Sequence, residues 1–438
     1  MKNITIFGTG YVGLVSGTCF AEIGHKVTCV DISPQRIESL NLGRSPIYEP
    51  GIEDMILTNM KKSRLSFSML QDVNIDKSDV IFICVGTPSK KDGSSDLSYV
   101  YQCCDDIANL LESKKLIVMK STVPVGTCLN MTNRINDNLK KLGKKFEVSV
   151  LSNPEFLREG NAIFDFMNPD RIIIGCNSDT NKQFFLDLYK PILQSDKCMI
   201  FMNKESSELT KYAANTMLAL RISFINELSR YSNQVNASID SIAEGIGTDK
   251  RIGKSFLRAG LGYGGSCFPK DVDSLIDQMK SLGQDSQLLN SIKSINSTQP
   301  TFYIDKLINL KNSKDQTISL WGFTFKPDTD DFRETPALKI INRYADKVKC
   351  IKVYDPFYKS NNPIRDSFDN VIFCTNKFEA TLESNLLILV TDWEEFRKID
   401  YKELNNSMKE ARVFDGRNIL PIPPEYISFS SINNFKKI

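Results

Sequence analysis

The sequence predicts an α/β fold: two doubly wound sheets joined by a long central helix and a helical dimerisation region. Three observations predict it. Continuous apolar runs of strand length alternate with helix-patterned segments over residues 1–203, as a parallel sheet covered on both faces requires. The same alternation returns over 301–438. Between them, residues 205–236 contain neither proline nor glycine and repeat Leu209, Tyr212, Ala213, Met217, Leu220, Phe224 and Leu228 at helical spacing. At 1.5 Å per residue that stretch makes a helix of roughly 45–50 Å, long enough to join two domains or to pack against a copy of itself. Three domains follow, at 1–203, 204–300 and 301–438, and 438 residues is length enough for them.

Composition excludes several classes. With 41% hydrophobic and 25% charged residues and a net charge of +2, the chain reads as a globular protein with no call for nucleic acid or an anionic membrane. Eleven cysteines lack paired spacing, no C-x-x-C occurs, and His25 is the single histidine, so neither a zinc site nor a secreted disulfide framework is expected. No run approaches the roughly 18 apolar residues of a membrane span. The apolar run Ile4–Phe7 at the amino end lacks a signal-peptide layout, and the reading is cytoplasmic.

In the first domain, the strand Asn3–Phe7 leads into Gly8-Thr-Gly-Tyr-Val-Gly13, a helix, and a strand Lys26–Val30 ending in Asp31. The pattern reads as the Rossmann-like unit that binds dinucleotides, over a merely structural glycine turn: the glycines would admit a pyrophosphate to the helix amino end. Asp31 would accept hydrogen bonds from an adenosine ribose and repel a 2′-phosphate, favouring NAD over NADP. Arg36 flanks the adenine or is simply solvated. Later strands at 79–85, 116–119 and 148–151 end in Thr87, Thr122 and the segment 152–160. Ligands bind at the carboxyl edge of such sheets, which would gather Gly8–Gly13, Thr87, Thr122, Glu155 and Glu159. Singly, Thr122 also reads as a helix cap and Glu159 as a surface acid.

Further along, Lys211 and Asn215 share a helix face, either turned to solvent or into the same crevice. Residues 248–261 interleave Lys250, Arg251, Lys254 and Arg258, suiting a phosphate-bearing ligand, a subunit contact or a solvated face. The stretch Gly260–Asp271 follows. Its glycines let the backbone turn sharply and approach a ligand closely, and Pro269 suits a first helical turn, which sets Cys267 at a helix amino end that favours a thiolate. Taken alone, Cys267 reads first as a small half-buried side chain in a tight turn and only second as a nucleophile. In the third domain, strands at 316–321, 350–354, 371–374 and 386–390 build the second sheet, Lys326 and Arg333 follow the first of them, and 428–438 reads as a loose tail.

Together, Gly8-x-Gly-Tyr-Val-Gly13, Gly86-Thr-Pro88, Ser121–Gly126, Asn153-Pro-Glu-Phe-Leu-Arg-Glu-Gly160, Glu208–Asn215, Gly264–Asp271 and Phe325-Lys…Asp330-Asp-x-Arg333 resemble the UDP-glucose/GDP-mannose dehydrogenase family over essentially the whole length. The resemblance implies oxidation of UDP-glucose to UDP-glucuronate by two NAD⁺ in turn, with Cys267 carrying a thiohemiacetal and then a thioester. The sister reactions on UDP-N-acetylmannosamine and GDP-mannose are the alternative. It assigns Lys211 and Asp271 to the oxyanion and a water, Glu155 and Thr122 to water positioning and acid–base work, and Asn215 to the sugar or oxyanion. Cofactor contacts would be Gly8, Gly10, Tyr11, Val12, Gly13, Asp31, Arg36, Thr87, Thr122, Glu159, Lys270 and Arg333. Sugar-nucleotide contacts would be Glu155, Phe156, Leu157, Lys211, Asn215, Arg258, Tyr263, Gly264 and Lys326. Arg251 matches a position that reaches into a neighbouring subunit, implying a homodimer. Asn418 departs from relatives that carry a second arginine after Arg417.

Overall fold

The computed structural model describes residues 1–193, 198–308, 313–359, 361–436 and 438. They divide into two compact units, Met1–Ala214 with Asp277–Gly283, and Asn215–Ile276 with Gln284–Ile438.

The first unit is built on strands β1 (Asn3–Phe7), β2 (Lys26–Asp31), β3 (Leu65–Met69), β4 (Val80–Ile83), β5 (Leu116–Met119), β6 (Val150–Ser152), β7 (Ile172–Gly175) and β8 (Met199–Met202). Among the described residues they form one sheet in the order β3-β2-β1-β4-β5-β6-β7-β8. Pairing is parallel except at β6–β7. Because successive side chains alternate across a strand, Val80 and Phe82 enter the core on one face while Ile81 and Ile83 enter the core on the other. The order reverses between β1 and β4, which is the switch point where ligands bind in such sheets.

The second unit carries β9 (Thr317–Trp321), β10 (Cys350–Tyr354), β11 (Val371–Phe373), β12 (Leu386–Leu389), β13 (Arg412–Asp415) and β14 (Ser428–Ser431), all parallel, in the order β11-β10-β9-β12-β13-β14. Counting each sheet from its first strand, both share the order 3-2-1-4-5-6. Strand β14 corrects the expected loose tail: Ser428 N–H bonds the Ala411 carbonyl at 2.9 Å and the segment closes the sheet's edge. Residue 437 of that tail lies outside the described residues.

The long helix spans Lys204–Ser232, 29 residues, ending four residues short of the expected stretch. A second helix, Gln287–Leu307, contains Pro300, so the chain is helical on both sides of residue 301. The glycine stretch packs against the loop that follows β9. A Cβ on Gly264 would stand 2.5 Å from the Glu334 carbonyl oxygen, and one on Gly265 would stand 2.8 Å from the Phe325 ring. Gly265 also has φ +81° and donates its N–H to the Arg333 carbonyl at 2.8 Å. These glycines serve a close approach of protein to protein.

Gly265→Ala combines a strained backbone with a clash, whereas Gly253→Ala at φ +75° meets no atom within 4 Å. The first is expected to destabilise by more than the second, whose cost is the strain alone, about 1–3 kcal/mol. Thermal unfolding of the two variants measures the order; equal losses would show that the ring contact contributes nothing.

Candidate functional site

In the first unit the glycine motif divides its work. Gly8, at φ +97°, lies where a Cβ would be 2.6 Å from the Cys84 carbonyl oxygen, and a Cβ on Gly13 would be 2.0 Å from the Gly8 oxygen. Those two glycines are demanded by the protein's own packing. Gly10 faces open space. It stands at the amino end of the helix Tyr11–Glu22, which has no side-chain cap, so the N–H groups there remain available to an anion. Beside it lies a cavity of about 450 Å³ lined by Gly8, Gly10, Asp31, Ser33 and Arg36, with Leu70, Tyr99, Gln102 and Cys103. A dinucleotide's pyrophosphate and adenosine fit this set.

Asp31 closes the turn as well as bordering the cavity. Its Oδ2 accepts from Thr9 N–H at 2.9 Å and Thr9 Oγ1 at 2.6 Å, and its Oδ1 accepts from Ser33 N–H at 3.0 Å. Burial opposes its ionisation, but those bonds and the Arg36 guanidinium, 3.6 Å away, outweigh it and hold the carboxyl below its ordinary range. Leu70, Tyr99 and Gln102 matched no motif. The last two sit on the helix Ser98–Leu110 that follows β4, and the switch-point rule could have found them. Tyr11 hydrogen-bonds Glu49 through its phenol, and Gly160 N–H reaches both that phenol at 2.7 Å and Glu49 Oε2 at 2.8 Å. Glu49, unremarked in the sequence, thus ties the glycine motif to the segment carrying Glu159. Glu159 lies near enough to Tyr11 to disfavour its ionisation. Val12 is half-buried beside it.

The carboxyl edge brings more of the expected residues together. Thr87 Oγ1 donates to the Thr122 carbonyl at 2.9 Å. Lys211 Nζ meets Glu155 Oε1 at 2.9 Å, and both are buried. Leu157 N–H supplies the other carboxylate oxygen at 2.6 Å, and the Phe156 ring lies 5.3 Å from Lys211 Nζ. Burial alone would raise the Glu155 pKa; the charge and hydrogen bond of Lys211, the Leu157 N–H and the more distant Lys120 reverse this and keep it a carboxylate.

In the second unit, Cys267 is half-exposed immediately before the helix Phe268–Ser281, and its carbonyl accepts the Asp271 N–H at 2.9 Å. Asp271 is buried, with Asn215 Nδ2 at 2.6 Å on one oxygen and Lys270 Nζ at 2.7 Å on the other. Tyr263 is buried, its backbone pinned both ways by Asn296. Other expected residues stand apart from this cluster in their pairings. Arg251 is exposed and forked onto Asp249 at 2.6 Å, Arg258 lies 3.5 Å from Asp392, and Arg333 is forked onto Asp331 at 2.8 Å. Lys326 Nζ stands 5.6 Å from the Phe325 ring. No cluster of metal-ligating side chains occurs among the described residues, nor any helix long and apolar enough to cross a membrane.

A dinucleotide turn closed by an acid, a buried lysine–carboxylate pair and a half-exposed cysteine at a helix start together define the residue set of a nucleotide-dependent dehydrogenase. Comparison with known proteins makes this particular. Models of the UDP-glucose/GDP-mannose dehydrogenase family match in order: the NAD binding domain over residues 2–193, the central domain over 205–298 and the UDP binding domain over 319–422. The chain belongs to that family. It is 41% identical over 425 residues to the UDP-glucose 6-dehydrogenase TuaD of Bacillus subtilis, covering 96% of this chain and 90% of that one. It is 38% identical to the UDP-glucose 6-dehydrogenase of Pseudomonas aeruginosa, with 95% and 93% covered. Among solved structures, a UDP-glucose dehydrogenase from Pyrobaculum islandicum superposes with a TM-score of 0.87 at 33% identity, covering 96% of this chain and 95% of the other.

Asp31→Ser removes the charge that would repel a 2′-phosphate and leaves Arg36 to receive it. The ratio of kcat/KM for NAD to that for NADP is expected to fall by about tenfold or more, a change of about 1.4 kcal/mol. Steady-state kinetics with both cofactors reads it, and an unchanged ratio would remove Asp31 from cofactor selection.

Proposed function

We propose that the chain is an NAD-dependent dehydrogenase that oxidises the C6 alcohol of UDP-glucose to the carboxylate of UDP-glucuronate, working in the cytoplasm as a homodimer. The observation that carries it is the likeness to UDP-glucose 6-dehydrogenases at about 40% identity along nearly the whole chain. NAD, when bound, accepts one hydride in each of two successive oxidations. Gly10 and the helix end behind it hold its pyrophosphate, Asp31 and Arg36 its adenosine ribose, and Thr87, Thr122, Glu159, Lys270 and Arg333 complete the contacts.

The chain supplies the covalent chemistry. An aldehyde hydrogen leaves poorly as hydride until a nucleophile makes its carbon tetrahedral. Cys267 Sγ adds to the C6 aldehyde to give a thiohemiacetal, loss of the second hydride leaves a thioester, and water displaces the sulfur to release the carboxylate. Lys211 donates to the oxyanion that develops at C6, and Asn215 and Asp271 hold the oxygen and the water. Glu155, kept ionised, accepts a hydrogen bond from that water together with Thr122. Phe156, Leu157, Arg258, Tyr263, Gly264 and Lys326 contact the nucleotide sugar, and Arg251 reaches the partner's site. Leu209, Met217, Phe224 and Tyr231 recur at intervals of seven or eight residues on the long helix and are all exposed in the single chain, a stripe that supports dimerisation. Eleven free thiols suit a reducing compartment.

With NAD⁺ and UDP-glucose, two NADH per sugar consumed are expected; turnover of GDP-mannose or UDP-N-acetylmannosamine but not of UDP-glucose would overturn the substrate. Cys267→Ala is expected to lower UDP-glucuronate formation by about a thousandfold or more, and a variant with wild-type rates would end the covalent route. Phe224→Glu is expected to turn a sedimenting dimer into a monomer; an unaltered dimer would move the interface off this helix.

A further inference from the structure

Lys120 has no role in the proposed chemistry, yet it is 4% exposed, as buried as Lys211. It leaves the carboxyl end of β5, where its N–H bonds the Ile83 carbonyl at 2.9 Å. Its Nζ meets Asn153 Oδ1 at 3.3 Å, the one acceptor found for this ammonium among the described residues. Asn153 is itself 1% exposed and fully engaged. Its N–H bonds the Met119 carbonyl at 2.9 Å, its Nδ2 bonds the Ile173 carbonyl at 3.0 Å, and its Oδ1 also accepts Tyr189 OH at 2.6 Å. Asn153 therefore joins β5 to β7 across the end of β6, where the sheet changes to antiparallel pairing. Two residues later comes Glu155.

A buried ammonium with a single neutral acceptor is costly unless a negative charge compensates it. Burial is the largest influence on the Lys120 pKa and lowers it; Lys211 adds to that, and Cys84 and Glu155 oppose it. Because burial pushes the Cys84 thiol up to about 12, Glu155 is the ionised group among them that favours the ammonium. We propose that Lys120 is a positioning residue for Glu155: anchored on Asn153, its ammonium fixes where the turn Asn153–Pro154–Glu155 leaves the sheet and supplies the second cation facing that carboxylate. The inference rests on the proposed role of Glu155. The other ionisable groups bearing on this pair are Lys211 from the long helix, Arg171 before β7, Cys84 after β4 and, against Cys84, Tyr189.

The test is the pH profile of kcat with UDP-glucose for Lys120→Gln, which keeps a donor for Asn153 and removes the charge, and for Lys120→Arg, which keeps the charge. Lys120→Gln is expected to lower kcat by about ten- to a hundredfold with both KM values near wild type. Its acid limb should move to higher pH, because a carboxylate that has lost a cation protonates more readily. Lys120→Arg should keep the acid limb in place. An unmoved limb in the Gln variant, equal movement in both, or failure of both to fold would overturn the inference and leave Lys120 a structural residue. Glu155→Gln separates the two ideas: wild-type kcat in that variant removes the role of Glu155 itself, whereas a large loss with an unmoved limb in Lys120→Gln removes Lys120 alone.

Discussion

Burying a lysine and a carboxylate together costs several kcal/mol per ion in lost hydration, and only close geometry with further hydrogen bonds recovers it. The pair Lys211–Glu155 meets that condition, and its surroundings follow from it. The Leu157 N–H takes the second carboxylate oxygen, the Phe156 ring lies beside the ammonium, and Arg171 stacks on the same ring at 3.9 Å. The helix must also arrive in register. One turn before Lys211, Ser207 Oγ meets Ser152 Oγ at 2.8 Å, and Glu208 accepts the N–H groups of Gly126 and Cys128 at 2.7 Å. Glu208 thereby caps the helix Thr127–Lys141, an end that offers it the positive side of a dipole. Residues 207, 208 and 211 thus fix this end of the long helix to the sheet edge through polar ties, with Tyr212 buried behind them.

The two sheets share more than strand order. After β1, Gly8 N–H bonds the Val30 carbonyl at 2.8 Å; after β9, Gly322 N–H bonds the Tyr354 carbonyl at 2.8 Å, and Gly322 has φ +100°. Each turn is then closed by an acid from the next strand, Asp31 in one and Asp355 in the other. Asp355 accepts Phe323 N–H at 2.7 Å, Thr324 N–H at 3.0 Å and Thr324 Oγ1 at 3.0 Å. The difference is in access. Trp393 Nε1 adds a bond to Asp355 at 3.1 Å, leaving that acid 0% exposed, whereas Asp31 borders a cavity. In the first unit a helix starts at Tyr11, directly after the turn; in the second, the next helix waits until Pro336. The intervening loop carries Lys326 and Arg333 in place of an open helix end. One topology therefore offers an open dinucleotide turn once; the second time it offers a closed turn and a longer loop in which Lys326 and Arg333 stand among four acids, Asp328, Asp330, Asp331 and Glu334.

The fold was legible because both sheets are buried on both faces, so their central strands appear as apolar runs that few other structures produce. The runs at β4 and β12 fall inside the expected segments with no end trimmed by more than two residues. Strands β3 and β14 escaped for a physical reason: they are edge strands, Leu-Ser-Phe-Ser-Met and Ser-Phe-Ser-Ser, whose serines dilute the apolar signal; β13, Arg-Val-Phe-Asp, escaped as well, because its apolar run is only Val413 and Phe414. At the site, the gathering of Thr87, Thr122 and Glu155 at the sheet's carboxyl edge followed from position, whereas helical spacing left Lys211 open between solvent and the crevice; it is buried on Glu155. Glu49 and Asn153 act through backbone N–H groups and buried pairs, which leave no spacing in the sequence. Trp393, just after β12 (Leu386–Leu389), covers Asp355 through its Nε1–H.

Cys267 shows how far burial alone can discriminate. Eight of the eleven thiols are buried, and burial pushes those of Cys84 and Cys104 up to about 12 and that of Cys374 up to about 11. Such sulfurs remain protonated at neutral pH and are poor nucleophiles. Of the three half-exposed thiols, Cys350 is also raised by burial. Cys267 alone among them directly precedes a helix of more than one turn, with Ser266 Oγ 3.5 Å from its sulfur. The glycines before it are pressed onto Phe325 and Glu334, so the loop is held by packing. In the proposed covalent route, a sulfur fixed in this way meets an electrophilic carbon without an ordering cost at the moment of attack. On that proposal the glycines contribute to reactivity by letting two protein segments close on each other.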